Sequence, residues 1–293
     1  MAKQLTIIGG TGHLSTRVVG KLIARGAELT LVARNPQKAR DLFGDAVTVV
    51  RGDVSEPESL RAALEGAGAI YIHLNTESVD ASQSFYTERE GVRNIVAAAE
   101  AVGAKQLIQI AGIEALRPDF FNNGVIATAQ IRSEGMAAIR ESSIPHTFLT
   151  CSFFLDSLPR FVADGALAVF ADGTNRIHFT SSNQLADHLF HVADNPDAYG
   201  KTLPVQGVEG LEFGAAAERF FSGFAPEVQV ARMPLEAIGQ FGLPEETAAF
   251  LQHVWDVTAG LREEFIAADV HASFGAPQQS LEAFAAELRA EAV

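Results

Sequence analysis

Cysteine is almost absent from this chain: Cys151 stands alone among 293 residues. One thiol excludes an intramolecular disulfide framework and a cysteine-cluster metal site. Beside an apolar run it reads as a buried core residue rather than a redox group. Basic residues are also few, 22 Lys and Arg against 36 Asp and Glu for a net charge of −14, and nowhere do they run together. A nucleic-acid groove needs a cationic face to displace phosphate counterions, so no nucleic-acid partner is expected; a local pocket for one small anion is still allowed. Long apolar runs are missing too. The first, Leu5 to Ile8, is too short and too early for a membrane span or a signal peptide, so a soluble, cytoplasmic protein without a membrane partner is expected. The eight histidines show no metal-ligand spacing, and neither His-Glu-x-x-His nor Gly-x-Ser-x-Gly occurs, so no metal is expected. Gly200-Lys201-Thr202 looks like the end of a Walker A loop, but Asn195 stands where the first glycine of that loop is needed.

What is present is an alternation. Hydrophobic residues make up 47% of the chain, enough to bury the core of one large α/β domain or a domain with an appended lobe. Leu5 to Ile8 reads as a strand that ends in Gly9-Gly10-Thr11-Gly12. Leu14, Val18 and Leu22 then recur at helical spacing, widened by Val19 and Ile23 and stopped by Gly26. Leu29 to Ala33 is a second strand, and Asn35-Pro36 supplies an N-cap and an N1 proline. Val47 to Val50 makes strand three. Ser55-Glu56-Pro57-Glu58 has capping-box spacing for the next helix, through Leu60 and Leu64. Ala69 to Leu74 is strand four, followed by a long helix carrying Phe85, Val92, Ile95, Val96 and Ala99 and ended by Gly103. Gln106 to Ala111, a helix over Thr128 to Glu141, Thr147 to Cys151, a helix over Leu185 to Ala193 and Thr202 to Gln206 complete the series. Strands separated by helices of this length imply right-handed crossovers and a mostly parallel sheet, whose ligands sit at the carboxyl ends of the strands.

Gly9-x-x-Gly12-x-x-Ser15 lies where the first strand becomes the first helix. A dinucleotide pyrophosphate needs a tight turn, close backbone approach and N–H groups at a helix N-terminus. Gly9 and Gly12 supply the first two, and Thr11, His13 and Leu14 offer N–H groups or a hydroxyl. An ordinary glycine-rich turn is the plainer alternative, and the position between strand and helix argues against it. Strand two ends in Arg34 with no carboxylate to take the ribose 2′-hydroxyl of NAD. An Arg fork with Lys38 one turn on suits a 2′-phosphate, so NADP(H) is expected, unless Arg34 is merely a solvated surface cation.

Gly9-Gly10-Thr11-Gly12 together with Val32-Ala33-Arg34-Asn35-Pro36 resembles the atypical short-chain dehydrogenases, in particular their NmrA-like branch. Gly52-Asp53-Val54, Ser142 to Thr147 and Phe153-Phe154 extend the resemblance over most of the first 210 residues. It implies that Asp53 and Val54 flank adenine, although Asp53 reads equally as a turn residue. It also implies that the ends of strands four and five, with Leu74 and Asn75, line the nicotinamide side. Many short-chain dehydrogenases use a Tyr-x-x-x-Lys pair for proton transfer. Here Tyr71, Tyr86 and Tyr199 are followed four positions on by Asn75, Glu90 and Leu203. Register places the pair at Thr128 and Arg132, the candidate catalytic positions; threonine is a poor acid and arginine no tunable base. The Lys and Glu that NmrA-like chains often carry on that helix fall at Arg132 and Met136. Ser15 replaces the third glycine, and strand six ends Thr150-Cys151 instead of Arg-Pro. These departures bear on proton transfer and leave dinucleotide binding untouched. The resemblance to quinone reductases implies a reaction that needs mainly hydride, with protons from water. Alternatively His73 or Asn75 hydrogen-bonds a substrate carbonyl, or His73 is structural.

Phe153, Phe154, Leu158 and Phe161 follow strand six, and Phe250, Val254, Trp255, Val257, Leu261 and Phe265 lie further on. They read either as an aromatic cleft, with Phe153 and Phe154 binding substrate, or as the core of a small lobe. Glu245-Glu246 and Glu263-Glu264 read as solvated helix faces. The expectation is a doubly wound, mostly parallel Rossmann α/β sheet with a smaller, mainly helical C-terminal lobe. Residues 1–151 form the NADP(H)-binding core, with a helix and strand returning near 183–207, and residues 152–182 and 208–293 form the substrate-binding lobe. The expected function is an NADPH-dependent oxidoreductase acting on a small carbonyl or quinone; a non-catalytic NADP(H)-sensing regulator with a protein partner is the alternative, and a homodimer stays open.

Overall fold

Each short apolar run in the first half of the chain is a strand in the computed structural model, which describes residues 3–76, 83–170 and 175–292. The order is β1 (Gln4–Ile8), α1 (His13–Ala24), β2 (Glu28–Ala33), α2 (Pro36–Phe43), β3 (Thr48–Arg51), α3 (Pro57–Ala63) and β4 (Ala69–Ile72). Then come α4 (Val92–Val102), β5 (Gln106–Gly112), α5 (Thr128–Glu141), β6 (His146–Cys151), β7 (Val162–Ala163), β8 (Ala166–Val169), α6 (Ser182–Val192) and β9 (Lys201–Val205). Seven of these strands form one sheet in the order β3-β2-β1-β4-β5-β6-β9. The pairings from β3 through β5 are parallel, with Ile8 opposite Val32 on one side and Ile72 on the other. The sheet is a doubly wound Rossmann sheet. Strand order reverses between β1 and β4, and ligands of such sheets gather at that switch point.

The elements form where their residues require. Helix α1 buries Val18, Val19 and Leu22 and stops before Gly26, whose φ of +76° favours glycine. Asn35 caps α2 by accepting from the N–H groups of Gln37 and Lys38 at 3.1 and 3.3 Å, and Pro36 presets the first turn. One face of the sheet packs Ile8, Val32, Ile70 and Ile72 against Leu60 and Leu64, Val92 and Ile95, and Met136 and Ile139. Each such side chain contributes about 1.5–3 kcal/mol by leaving water. Gln106 opens β5 fully buried, and its amide is used at both ends. Nε2 donates to Thr147 Oγ1 and to the Val192 carbonyl, and Oε1 accepts from Asp194 N–H.

Two local expectations change. Ser55 does not cap α3: Asp53 takes both its N–H and its hydroxyl, at 2.9 and 2.7 Å, and the helix starts at Pro57 behind Glu56. Phe85 is not helical either. A five-residue π turn, Thr87–Gly91, precedes α4, and at Gly91 a Cβ would meet Val54 Cγ2 at 3.0 Å. Such turns favour functional sites.

The chain divides into two compact units, one of Met1–Ala115, Ala127–Thr150 and Leu185–Leu203, the other of Leu116–Ile126, Cys151–Gln184 and Pro204–Val293. The second unit adds α7 (Phe213–Phe224), β10 (Gln229–Arg232), α8 (Glu245–Gly260), α9 (Ala268–Phe274) and α10 (Leu281–Ala292). It is largely helical, as expected, but also holds a three-stranded sheet, β10-β8-β7, that hydrophobic alternation did not announce. Strands of two to four residues are too short to display alternation.

Candidate functional site

In the first unit, the turn after β1 is built by steric need. Gly9 has φ +90°, and a Cβ there would stand 2.0 Å from the His73 carbonyl oxygen. At Gly10 a Cβ would press Leu31 Cδ2 at 3.1 Å. Ser15, standing where a third glycine was looked for, is buried. Its hydroxyl donates to the Gly9 carbonyl at 2.7 Å and accepts from Gly12 N–H at 2.9 Å. Thr16 Oγ1 adds a bond to the Gly12 carbonyl. The loop is thereby braced from inside. No acid occupies the first turn of α1, so its positive end meets no carboxylate from its own helix. Gly12 is exposed and carries no Cβ to cover the turn. A pyrophosphate fits these features.

At the end of β2, Arg34 and Lys38 are both exposed. Burial works to raise the Asp53 carboxyl, but the hydrogen bonds from Ser55 and the charges of Arg34 and Arg51 outweigh it and hold the group below the ordinary carboxylate range. Asp53 is thus a negative group within electrostatic reach of Arg34, and it also shapes its own turn, with its N–H donating to Ser59 Oγ at 2.9 Å. Val54 is buried and its carbonyl accepts from Asn94 Nδ2 at 2.8 Å.

The ends of β4 and β5 carry a charged cluster. Arg132, on α5, donates from Nε to Glu88 Oε1 at 2.7 Å and from a terminal nitrogen to Glu114 Oε1 at 2.9 Å. Glu88, in the π turn, accepts from Thr76 N–H with its other oxygen. Burial opposes the charge on Arg132, but the two carboxylates prevail and raise its pKa further. It is a fixed cation between two acids and moves no proton. Thr128 opens α5 and is half-buried. Leu74 is half-buried near Gly9, while Asn75 is exposed and its carbonyl accepts from Thr87 Oγ1 at 2.6 Å. His73 sits beside Gly9 with Nδ1 2.9 Å from the Tyr71 hydroxyl. Glu88, Glu114 and the bracing role of Ser15 were not found from sequence; only Ser15 left a signal, by breaking the glycine spacing.

In the second unit, Phe153 is the hub of an aromatic group. Its ring centroid lies 5.2 Å from Phe213, 5.7 Å from Phe179 and 6.2 Å from Phe161, and Phe213 in turn meets Trp255 at 5.1 Å. Phe154 is half-buried and bridges to Thr180. Cys151 is buried. One expectation is overturned in this unit: Glu263 lies on no helix and is not solvated, being only 2% exposed. Ser152, His178 and Gln206 bond its carboxylate and draw it inward. Glu264 beside it is exposed.

A glycine turn braced at the switch point of a doubly wound sheet, opening onto a helix end without acids, is the architecture of a dinucleotide-binding protein. The chain belongs to the NAD(P)H-binding family, which it matches over residues 9–196. An NAD(P)H azoreductase of Xenophilus azovorans is 22% identical over 261 residues, 86% of either chain. Among solved structures, the triphenylmethane reductase of Citrobacter sp. complexed with NADP(H) superimposes with a TM-score of 0.75 at 22% identity, covering 98% of this chain and 99% of that one. An NADPH-dependent quinone oxidoreductase of Escherichia coli in complex with NADPH gives 0.73 at 21% identity, covering 97% and 99%. Among the described residues, no helix is long and apolar enough to cross a membrane.

Proposed function

We propose that the protein is an NADPH-dependent reductase of small, electron-poor acceptors such as quinones or azo compounds. The observation that carries this reading is the braced Gly9–Gly12 turn at the switch point, next to a β2 end that offers Arg34 and no carboxylate. The names of the relatives support it. When bound, the reduced nicotinamide supplies hydride. The chain holds and orients it: Gly9, Thr11, Gly12, His13 and Leu14 take the pyrophosphate, Arg34 and Lys38 the 2′-phosphate, Asp53 and Val54 the adenine side, and Leu74 and Asn75 the nicotinamide side. The first unit is the cofactor part, and the second, through Phe153 and Phe154, the substrate part. A cytoplasmic location, where reduced cofactor is plentiful, goes with this reading.

The test is a fluorescence titration with NADPH and NADH, followed by an acceptor panel. Arg34→Ala is expected to weaken NADPH by roughly 10- to 150-fold, the value of one charge-assisted bond set at 1.5–3 kcal/mol, and to leave NADH unchanged. Equal affinity of the native chain for both cofactors would refute the assignment of Arg34. The fixed Arg132 cluster, which moves no proton, favours a second reading: an NADP(H)-sensing regulator. Tight NADPH binding with no turnover on any acceptor, together with a protein partner retained in a pull-down, would support it.

A further inference from the structure

His73 stands at the point where strand order reverses. Its N–H donates to the Ile8 carbonyl at 2.9 Å, and its own carbonyl is the atom that a Cβ on Gly9 would strike. The residue is therefore locked onto the turn assigned to the pyrophosphate. Its ring is half-buried and set nearly perpendicular to Tyr71, at 86°. The hydroxyl of fully buried Tyr71 lies 2.9 Å from Nδ1. An imidazole nitrogen is far more basic than a phenol oxygen, so the stable arrangement has the phenol donating and Nδ1 accepting. The ring proton then resides on Nε2, the nitrogen that Tyr71 does not engage. Burial, helped by the charge of Arg132, pushes the His73 pKa down to about 4. Arg132 is itself held by Glu88 and Glu114. The imidazole is neutral across the physiological range.

The geometry points to His73 as the group that polarises the acceptor, its Nε2–H donating a hydrogen bond to the oxygen or nitrogen on which negative charge builds. This rests on the reductase reading. Hydride brings two electrons to the acceptor, the pair of its C=O or N=N π bond moves onto the heteroatom, and that atom takes a proton from water while the cofactor is left oxidised. His73 keeps its proton throughout. A neutral donor suits this task because it stabilises developing charge while needing no protonation of its own, so no step waits on pH.

The tautomer is read first, on the unliganded full chain, from long-range ¹H–¹⁵N spectra of the histidine rings. His73 is expected as the Nε2–H form with no titration between pH 5 and 9, and Tyr71→Phe should mix the tautomers. In kinetics, His73→Leu should lower kcat by roughly 10²- to 10³-fold, the usual loss for one such donor. Its NADPH affinity should stay within about twofold, because the contacts to Ile8 and Gly9 are backbone ones. His73→Gln, which keeps a neutral N–H donor, should restore most of the rate and shows that loss in the Leu variant is not a folding failure. An Nδ1–H tautomer, a ring that titrates near its ordinary value, or a Leu variant as fast as the native chain would each overturn the role of His73 alone. A native chain that binds NADPH and reduces no acceptor would overturn the reductase reading as well.

Discussion

Replacing Glu263 tests whether an acid can be held in a protein interior by neutral donors alone. Oε1 accepts from the Ser152 hydroxyl at 2.7 Å, and Oε2 from His178 N–H and Gln206 Nε2, both at 3.0 Å. Among the described residues no cation pairs with it. Burial raises the carboxyl pKa, and the three hydrogen bonds pull it back only in part, so the folded value lies above the unfolded one. The folded chain then binds more protons than the unfolded chain within that window. The stabilisation is fully present below the unfolded pKa and is lost as pH rises through the folded pKa. Glu263→Gln can satisfy every partner: the amide oxygen replaces Oε2 beneath two N–H donors, and the NH₂ group meets Ser152 Oγ, which turns from donor to acceptor. This variant should fold, lose that part of the pH slope and exceed the native chain in stability at pH 8. Glu263→Ala strands the two N–H donors at about 1–3 kcal/mol each and removes one buried methylene at about 0.8 kcal/mol. The sum, roughly 3–7 kcal/mol, corresponds to a fall in Tm on the order of 10 °C or more. Thermal unfolding followed by circular dichroism from pH 5 to pH 9 measures both. If the Gln variant is as unstable as the Ala variant at pH 8, the negative charge itself is needed and the reasoning fails.

Two further outcomes concern the first unit. Gly9→Ala should weaken NADPH at least tenfold in the same titration, since a Cβ would overlap the His73 carbonyl and the φ of +90° adds about 1–3 kcal/mol of strain. Unchanged affinity would mean that the turn does not hold the pyrophosphate. Arg132→Met leaves Glu88 and Glu114 without their shared cation and should cost about 3–5 kcal/mol in urea unfolding. Adding Glu88→Gln and Glu114→Gln to it should recover much of that loss; no recovery would show that Arg132 acts through packing.

Much of the fold could be read from the chain because its signals are local. Asn35-Pro36, Gly26 and Gly103 mark helix ends through backbone geometry that only neighbours determine, and the span of α5 follows from its own periodicity. The hairpin between β7 and β8 carried such a signal and was missed: Asp164 and Gly165 both have positive φ, the two-residue turn that joins short antiparallel strands. Other features are legible only in three dimensions. Glu88 and Glu114 meet Arg132 across 44 and 18 residues. Glu263 draws its donors from 57 to 111 residues away. An acid next to another acid looks solvated until those distant donors are known. Ser55 failed as a cap because a stronger acceptor, Asp53, lay two residues before it.

The corner after β2 has a consequence for how such a chain can diverge. Asn35 closes the first turn of α2 with its own side chain, and Pro36 fixes the backbone that follows. The conformation of that corner is therefore set without help from the side chain at position 34, which is exposed. One substitution there can exchange a guanidinium for a carboxylate while the fold stays as it was. If Arg34 is the 2′-phosphate ligand proposed above, selection can move such a lineage between the phosphorylated and unphosphorylated dinucleotide pools in small steps, each intermediate still folding.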